Sequence, residues 1–433
     1  MKLPETENQS PYQREAWSQI RALLPLDPEL ERLAREKGAL CRRRGVKAAE
    51  VLLRVLLFYG CCKTSLRGLC EWARDSGWGR FTRNALRQRL QNAAPWLQHL
   101  LDWVLSQRAP SCLVSGLKVV LVDGTRLSPP GTKGTGWCAH TLLDPLLGQT
   151  LQLELTDRKG GEHLRRFRFR AGELVIADSG YAHRRGLAHV VTSQAQFLVR
   201  TNWCNLPFET RHGRTFDLFA ATEHLVEHQC AEFAVRIQAD KDHGLAALPC
   251  RLLVYRKSEE AAEAARKKVR AEAKRKKRTP DKRTLEACQY VLLVTNVERW
   301  RLDAEELLEL YRLRWQIELG FKRWKSLLHL DEMTVRQSDS VRATLTAKLL
   351  GAVLVESIVS KRAQGKKLWS LTREVGDAFQ QALKGESAVA AILQGRRSVP
   401  DSERDPKRIP QREGLLGQEP AYLKSRLRQS VPA

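Results

Sequence analysis

The stretch YRLRWQIELGFKRWKSLL, residues 311–328, decides how the rest of the chain is read. It continues a helical pattern that begins near Asp303, where Asp303 as N-cap and Glu306 three positions on form a capping-box arrangement. At ~100° per residue, Leu310, Leu313, Ile317, Phe321, Trp324 and Leu328 fall within one arc of about 80°. That arc is the expected core face. Tyr311, Arg314, Glu318 and Lys325 fall within a second arc of about 60° beside it. A phenol, a guanidinium, a carboxylate and an ammonium therefore line the edge of the buried face. A solvated stripe with an Arg314–Glu318 pair at i, i+4 gives the same pattern, so the helix alone assigns no role.

Upstream, short apolar runs end in aspartate. Lys118 to Val122 reads as a buried strand followed by Asp123-Gly124-Thr125, and Leu174 to Ala177 as another followed by Asp178-Ser179-Gly180-Tyr181. Each aspartate taken singly is a routine turn former. Their order is the informative feature: both close buried strands, and both precede the helix of residues 311–328. Gln149 to Leu155 alternates as a strand, Gly161 to Arg170 is a short helix candidate, and Gln196 to Arg200 a further strand. Between them, Asp157 and Glu162 are additional acidic candidates for which capping or surface roles are expected. His163, His183 and His189 have no metal-ligand spacing. Phe233 to Ile237 and Arg251 to Tyr255 are strand-like, and Val291 to Thr295 returns as a strand.

Residues 1–110 read as a helical, DNA-binding domain. Ser65 to Ala73, a break at Asp75 to Gly79, and an arginine-bearing helix from Thr82 to Ala93 (Arg83, Arg87, Arg89) have the outline of a helix-turn-helix. Many all-α hairpins share that outline. Residues 111–200 and 291–395 read as the two parts of a core, 201–290 as an insertion, and 396–433 as a basic, disordered tail. Within the insertion, residues 256–283 hold 13 basic against five acidic residues.

Composition narrows the partners. Lys and Arg outnumber Asp and Glu by 74 to 49 in 433 residues, a net charge of +25, which points to a polyanion before anything else. Met1 to Ser10 is unlike a signal peptide. The longest apolar runs, Val51 to Cys62 (with Arg54 inside) and Leu349 to Val355, fall short of the ~20 residues of a spanning helix. No membrane partner is expected. The ten cysteines form no CxxC pair, so reduced thiols of a cytosolic protein are expected.

The spacing Tyr311-(two)-Arg314-(three)-Glu318-(six)-Lys325 matches the Y-(2)-R-(3)-E-(6)-K signature of the insertion-sequence-4 group of DDE transposases, which the chain resembles from about residue 50 to 360. Asp123-Gly124-Thr125 fits that group's first acidic motif. Asp178-Ser179-Gly180-Tyr181 fits the second, with serine where the group usually has arginine. The resemblance implies an α/β fold: a ribonuclease-H-like mixed sheet flanked by helices, a β-rich insertion and an α-helical N-terminal domain. It further implies that Asp123, Asp178 and Glu318 bind two Mg²⁺ or Mn²⁺ ions and catalyse cut-and-paste transposition of an insertion sequence. Hard oxygen ligands suit those ions, and paired ions clamp an in-line displacement at phosphorus. Arg314, Lys325 and Tyr311 would contact DNA phosphates. Tyr290 stands about where such proteins stack a tryptophan on a flipped base, although core packing also suits it. The expected partners are double-stranded element ends and target DNA, engaged by a homodimer in the bacterial cytoplasm at the nucleoid. Two other readings remain at this point: a nuclease of the same fold that cuts without joining, and a non-catalytic DNA-binding derivative.

Overall fold

The computed structural model describes residues 17–41, 46, 48–128, 136–333, 338–362 and 367–384. The tail expected from residue 396 lies outside them.

The N-terminal layer is helical: α1 (Asp27–Glu36), α2 (Ala49–Cys61), α3 (Leu66–Asp75), α4 (Arg83–Asn92) and α5 (Ala94–Ser106). Ser65 and Thr82 cap α3 and α4 through their side-chain oxygens. Leu86 and Leu90 face inward on α4, and Arg83 and Arg87 stand exposed. Arg89, grouped with them in the sequence reading, is drawn partly inside, and burial lowers its pKa.

A ten-stranded sheet follows: β1 (Leu113–Val114), β2 (Leu117–Leu127), β3 (Trp137–Asp144), β4 (Gln149–Asp157), β5 (Glu173–Ala177), β6 (Gln196–Thr201), β7 (Phe208–Glu209), β8 (Cys230–Ile237), β9 (Leu248–Arg256) and β10 (Tyr290–Thr295). The strand order is β4-β3-β2-β5-β6-β10-β9-β8-β7, with β1 beside β2. An antiparallel β2–β3–β4 meander with β5 and β6 parallel to β2 is the ribonuclease-H-like arrangement. The strands of residues 201–290 extend that sheet rather than forming a separate one. Between strands lie α6 (Arg184–Thr192), α7 (Leu218–Thr222), α8 (Glu259–Arg275) and α9 (Lys282–Ala287).

Both faces of the sheet are covered, which is why its central strands read as unbroken apolar runs. Val119, Leu121, Leu174, Ile176 and Leu198 pack on one side with the N-terminal helices and the chain beyond residue 300. Val120, Val122, Val175, Ala177, Phe197 and Val199 pack on the other with α6.

The quoted stretch divides into α10 (Ala304–Tyr311), a 3₁₀ turn at Arg312–Arg314, and α11 (Trp315–Ser326). The Asp303–Glu306 capping box is present. Leu310, Leu313, Ile317, Phe321 and Trp324 are buried, as the arc requires. Two further helices, α12 (Ser338–Arg362) and α13 (Leu368–Lys384), close the molecule. Ser340–Arg362 is long and apolar enough by composition to cross a membrane, yet 94% of that window is buried inside the fold. It packs against α2, α4, α5 and α13.

Candidate active site

Alternation along β2 and β5 sets where the aspartates point. Asp123 shares the face of Val119 and Leu121, and Asp178 continues the face of Leu174 and Ile176. That is the face against which α10 and α11 pack. The register Val122 to Ala177 to Val199 places Asp123, Asp178 and Arg200 in line across the carboxyl edge of three parallel strands. Asp123 does not end its strand, as the sequence suggested. β2 runs on to Leu127 and pairs with β3, so Asp123-Gly124 is no turn. Asp123 lies one residue past the last pair with β5. Asp178 does end β5, capping a 3₁₀ turn at Ser179–Tyr181.

Each aspartate is steadied by the next amide. Gly124 N donates to Asp123 Oδ1 at 2.7 Å, and Ser179 N to Asp178 Oδ1 at 2.7 Å. Arg314 spans the gap to the helix: its guanidinium is 3.6 Å from Asp123 Oδ2 and 2.6 Å from Glu318 Oε1. The i, i+4 pair foreseen as the bland alternative thus exists, but it also reaches a strand 191 positions away in sequence (314 − 123). Burial pushes Asp123 up to about 7; the Gly124 amide and Arg314 oppose this, while Asp178 and Glu162 add to it. Burial also works against the charge on Arg314, but Tyr311, Asp178 and Glu318 outweigh it and hold the guanidinium more firmly protonated.

Other sequence candidates fall in different places. Tyr311 is 2% exposed, and its hydroxyl lies among Asp178, Arg314 and Arg200 without a hydrogen bond among the described residues. Lys325 is half-buried two turns beyond Glu318, about 10 Å along the axis, and meets none of the carboxylates. Tyr290 sits in the core, its hydroxyl donating to the Thr222 carbonyl at 3.3 Å. Asp157 accepts from the Lys159 amide in a turn. The sequence reading assigned no site role to Arg200, whose only signal is its phase after Leu198. Glu162, an acidic candidate for which a capping or surface role is expected from sequence, is within electrostatic reach of Asp123.

Among the described residues no three acidic, histidine or cysteine side chains form a ready metal cage. Arg314 stands between Asp123 and Glu318 instead. The donors nevertheless fit a hard divalent cation, since they are carboxylate oxygens. Two buried phenol hydroxyls beside them, Tyr181 and Tyr311, have no partner among the described residues. Orphaned buried donors of this kind are expected where an ion, its hydration water or a phosphate belongs.

Strand order and acidic edge together define an enzyme of the ribonuclease-H-like, nucleic-acid-processing class. Residues 115–354 match the family described as Transposase DDE domain. The chain is 37% identical over 352 residues to the putative transposase InsL of insertion sequence element IS186A from Escherichia coli (strain K12), covering 80% of this chain and 95% of the relative. It is 37% identical over 353 residues to the transposase of insertion sequence element IS421 from Escherichia coli, with the same coverage. A solved piggyBac transposase synaptic complex with hairpin DNA aligns with a TM-score of 0.46 and 9% identity, over 96% of this chain and 85% of that one. The chain belongs to the DDE transposase family. It is a DNA transposase, of a family that cleaves DNA, transfers strands and depends on divalent metal.

Proposed function

We propose that Asp123, Asp178 and Glu318 are the catalytic carboxylates, holding two Mg²⁺ or Mn²⁺ ions for cut-and-paste transposition of an insertion sequence. The observation that carries this reading is Arg314, which draws Asp123 and Glu318 together from opposite sides of the site. When bound, paired ions of this type supply an activated nucleophile and neutralise the leaving oxygen. The rest falls to the chain. The amides of Gly124 and Ser179 each hold Oδ1 of an aspartate, while Oδ2 of Asp123 faces the Arg314 guanidinium. Arg314 serves as their counter-charge until a DNA phosphate competes for its guanidinium, a planar fork suited to phosphate. Tyr311 offers a hydroxyl from within, and Lys325 a charge for backbone phosphate further along the helix. The DNA partners are double-stranded element ends and target. Bringing two ends together calls for two copies of the chain, and the setting is the bacterial cytoplasm at the nucleoid.

Purified protein on linear element-end DNA with Mg²⁺ or Mn²⁺ tests the assignment. Asp123→Asn, Asp178→Asn and Glu318→Gln are each expected to abolish cutting and joining while leaving end binding largely intact. Full activity in any one removes that residue from the site.

A further inference from the structure

The 3₁₀ turn after Asp178 contains a glycine whose backbone does not demand one, since its φ lies outside the left-handed region. The reason lies in what sits on it. A Cβ at Gly180 would fall 2.0 Å from Glu162 Oε2, so the carboxylate of Glu162 rests directly on the glycine. Glu162 is held there by its loop. Gly160 lies so close to Thr156 that a Cβ would overlap Oγ1 at 2.2 Å. Arg166 donates to the Gly161 carbonyl at 2.8 Å and to both oxygens of Glu154 at 3.0 Å. These contacts turn Glu162 inward over the acidic edge.

Once there, the carboxylate forms no hydrogen bond or ion pair among the described residues. Its neighbours make that costly. Asp123 and the buried thiol of Cys138 feel its charge. So does Tyr181, which is fully buried and whose hydroxyl has no partner among the described residues. That hydroxyl is 3.5 Å from where a Cβ on Gly124 would stand, next to Asp123. An unpaired carboxylate, a second carboxylate and an orphaned buried phenol therefore share one small space, and Arg314 makes no hydrogen bond or ion pair with Glu162. Arg314 answers the charge of Asp123 but forms no ion pair with Glu162, and a carboxylate left unpaired beside a second one is a bias toward binding a cation.

We propose that Glu162 is a fourth carboxylate of the active site and, with Asp123 and the Tyr181 hydroxyl beside it, helps to hold a divalent cation. This rests on the triad reading. Glu318 and Arg314 approach Asp123 from the helix, and Glu162 approaches from the loop after β4, so a cation shared by Asp123 and Glu162 need not wait for Arg314 to leave. A side chain at Gly180 would push the carboxylate from this seat.

Calorimetric titration of the full-length protein with Mn²⁺, without DNA, tests the proposal independently of catalysis. Glu162→Gln is expected to weaken Mn²⁺ binding at least fivefold, with Glu162→Asp intermediate. Gly180→Ala, which keeps the charge but fills its seat, should shift binding in the same direction. Circular dichroism and the metal-free thermal midpoint confirm folding of each variant; should Glu162→Gln unfold, Gly180→Ala carries the test. Unchanged Mn²⁺ affinity in folded Glu162→Gln, or failing that in Gly180→Ala, alongside lost affinity in Asp123→Asn, overturns the role of Glu162 and leaves the triad standing. Unchanged affinity in Asp123→Asn as well overturns both.

Discussion

His140 illustrates how a single residue near the acidic edge sets a condition on the whole enzyme. It is fully buried on β3, opposite Gly124, with its ring 3.0 Å from Thr156 Oγ1. Burial, reinforced by Arg166, lowers its pKa from 6.5 to about 4. The folded protein therefore keeps the ring neutral, while the unfolded chain takes up a proton as the pH falls through about 6.5. Stability from this group is intact above that pH and lost progressively between about 6.5 and 4, by roughly 3 kcal/mol in total. The expected result is that the urea midpoint falls less between pH 7.5 and pH 4.5 in His140→Gln than in the wild type. Parallel pH profiles for the two proteins would show that the ring is not held neutral by burial.

The helix of residues 304–326 is where sequence and structure can be compared most closely. Its capping box and core face were legible because both depend on local spacing. The 3₁₀ turn at Arg312–Arg314 was not, since no glycine or proline announces it, yet Arg314 and Glu318 still meet. The strand end expected at Asp123 does not occur, because its pairing with Thr141 on β3 is a non-local contact. The helix expected over residues 161–170 is only a turn at Leu164–Arg166. Phe167 and Phe169 are buried with Arg168 exposed between them, a period of two rather than 3.6. What anchors α11 was also invisible in sequence. Trp324 Nε1 donates to Glu356 Oε1 at 2.8 Å, and Arg108 meets Glu356 Oε2 at 2.9 Å. Thr150 donates to both oxygens, from its amide at 2.9 Å and its hydroxyl at 3.1 Å. Removing one charge from such a buried pair costs about 3–5 kcal/mol. Glu356→Gln should therefore lower chemical stability by that order, and Trp324→Phe, which loses one donor, by about 1–3 kcal/mol. Denaturation curves measure both, and changes below 1 kcal/mol in Glu356→Gln would contradict the role given to the network.

At the scale of the molecule, topology brings the start of a basic helix to the acidic edge of the sheet. β9 is antiparallel to β10, and β10 to β6, so β9 ends at the same edge as β2, β5 and β6. α8 starts there. Along it, Arg266 and Arg270 pair with Glu259 and Glu263. Lys267, Lys268, Lys274 and Arg275 are exposed and form no ion pair among the described residues. These cations offer a surface for backbone phosphate. Replacing Lys274 and Arg275 with alanine should reduce the salt dependence of end binding by about one phosphate contact each, weakening all sequences alike. A slope equal to that of the wild type would mean that DNA takes another path.

The packing of α2 against α12 also has a consequence in time. Arg54 of α2 lies between the rings of Trp17 and Trp78, 4.7 Å from each, and donates to the carbonyl of Ala382 at 3.2 Å. The first helices synthesised are thus finished by the last. At ~5–20 residues per second, the roughly 280 residues between α2 and α12 keep the ribosome occupied for about 15–55 s. Throughout that interval the face of α2 that packs on α12 lacks that partner. A gene copy interrupted anywhere before residue 338 yields a chain that never acquires one. Such fragments expose apolar surface of the kind that chaperones bind.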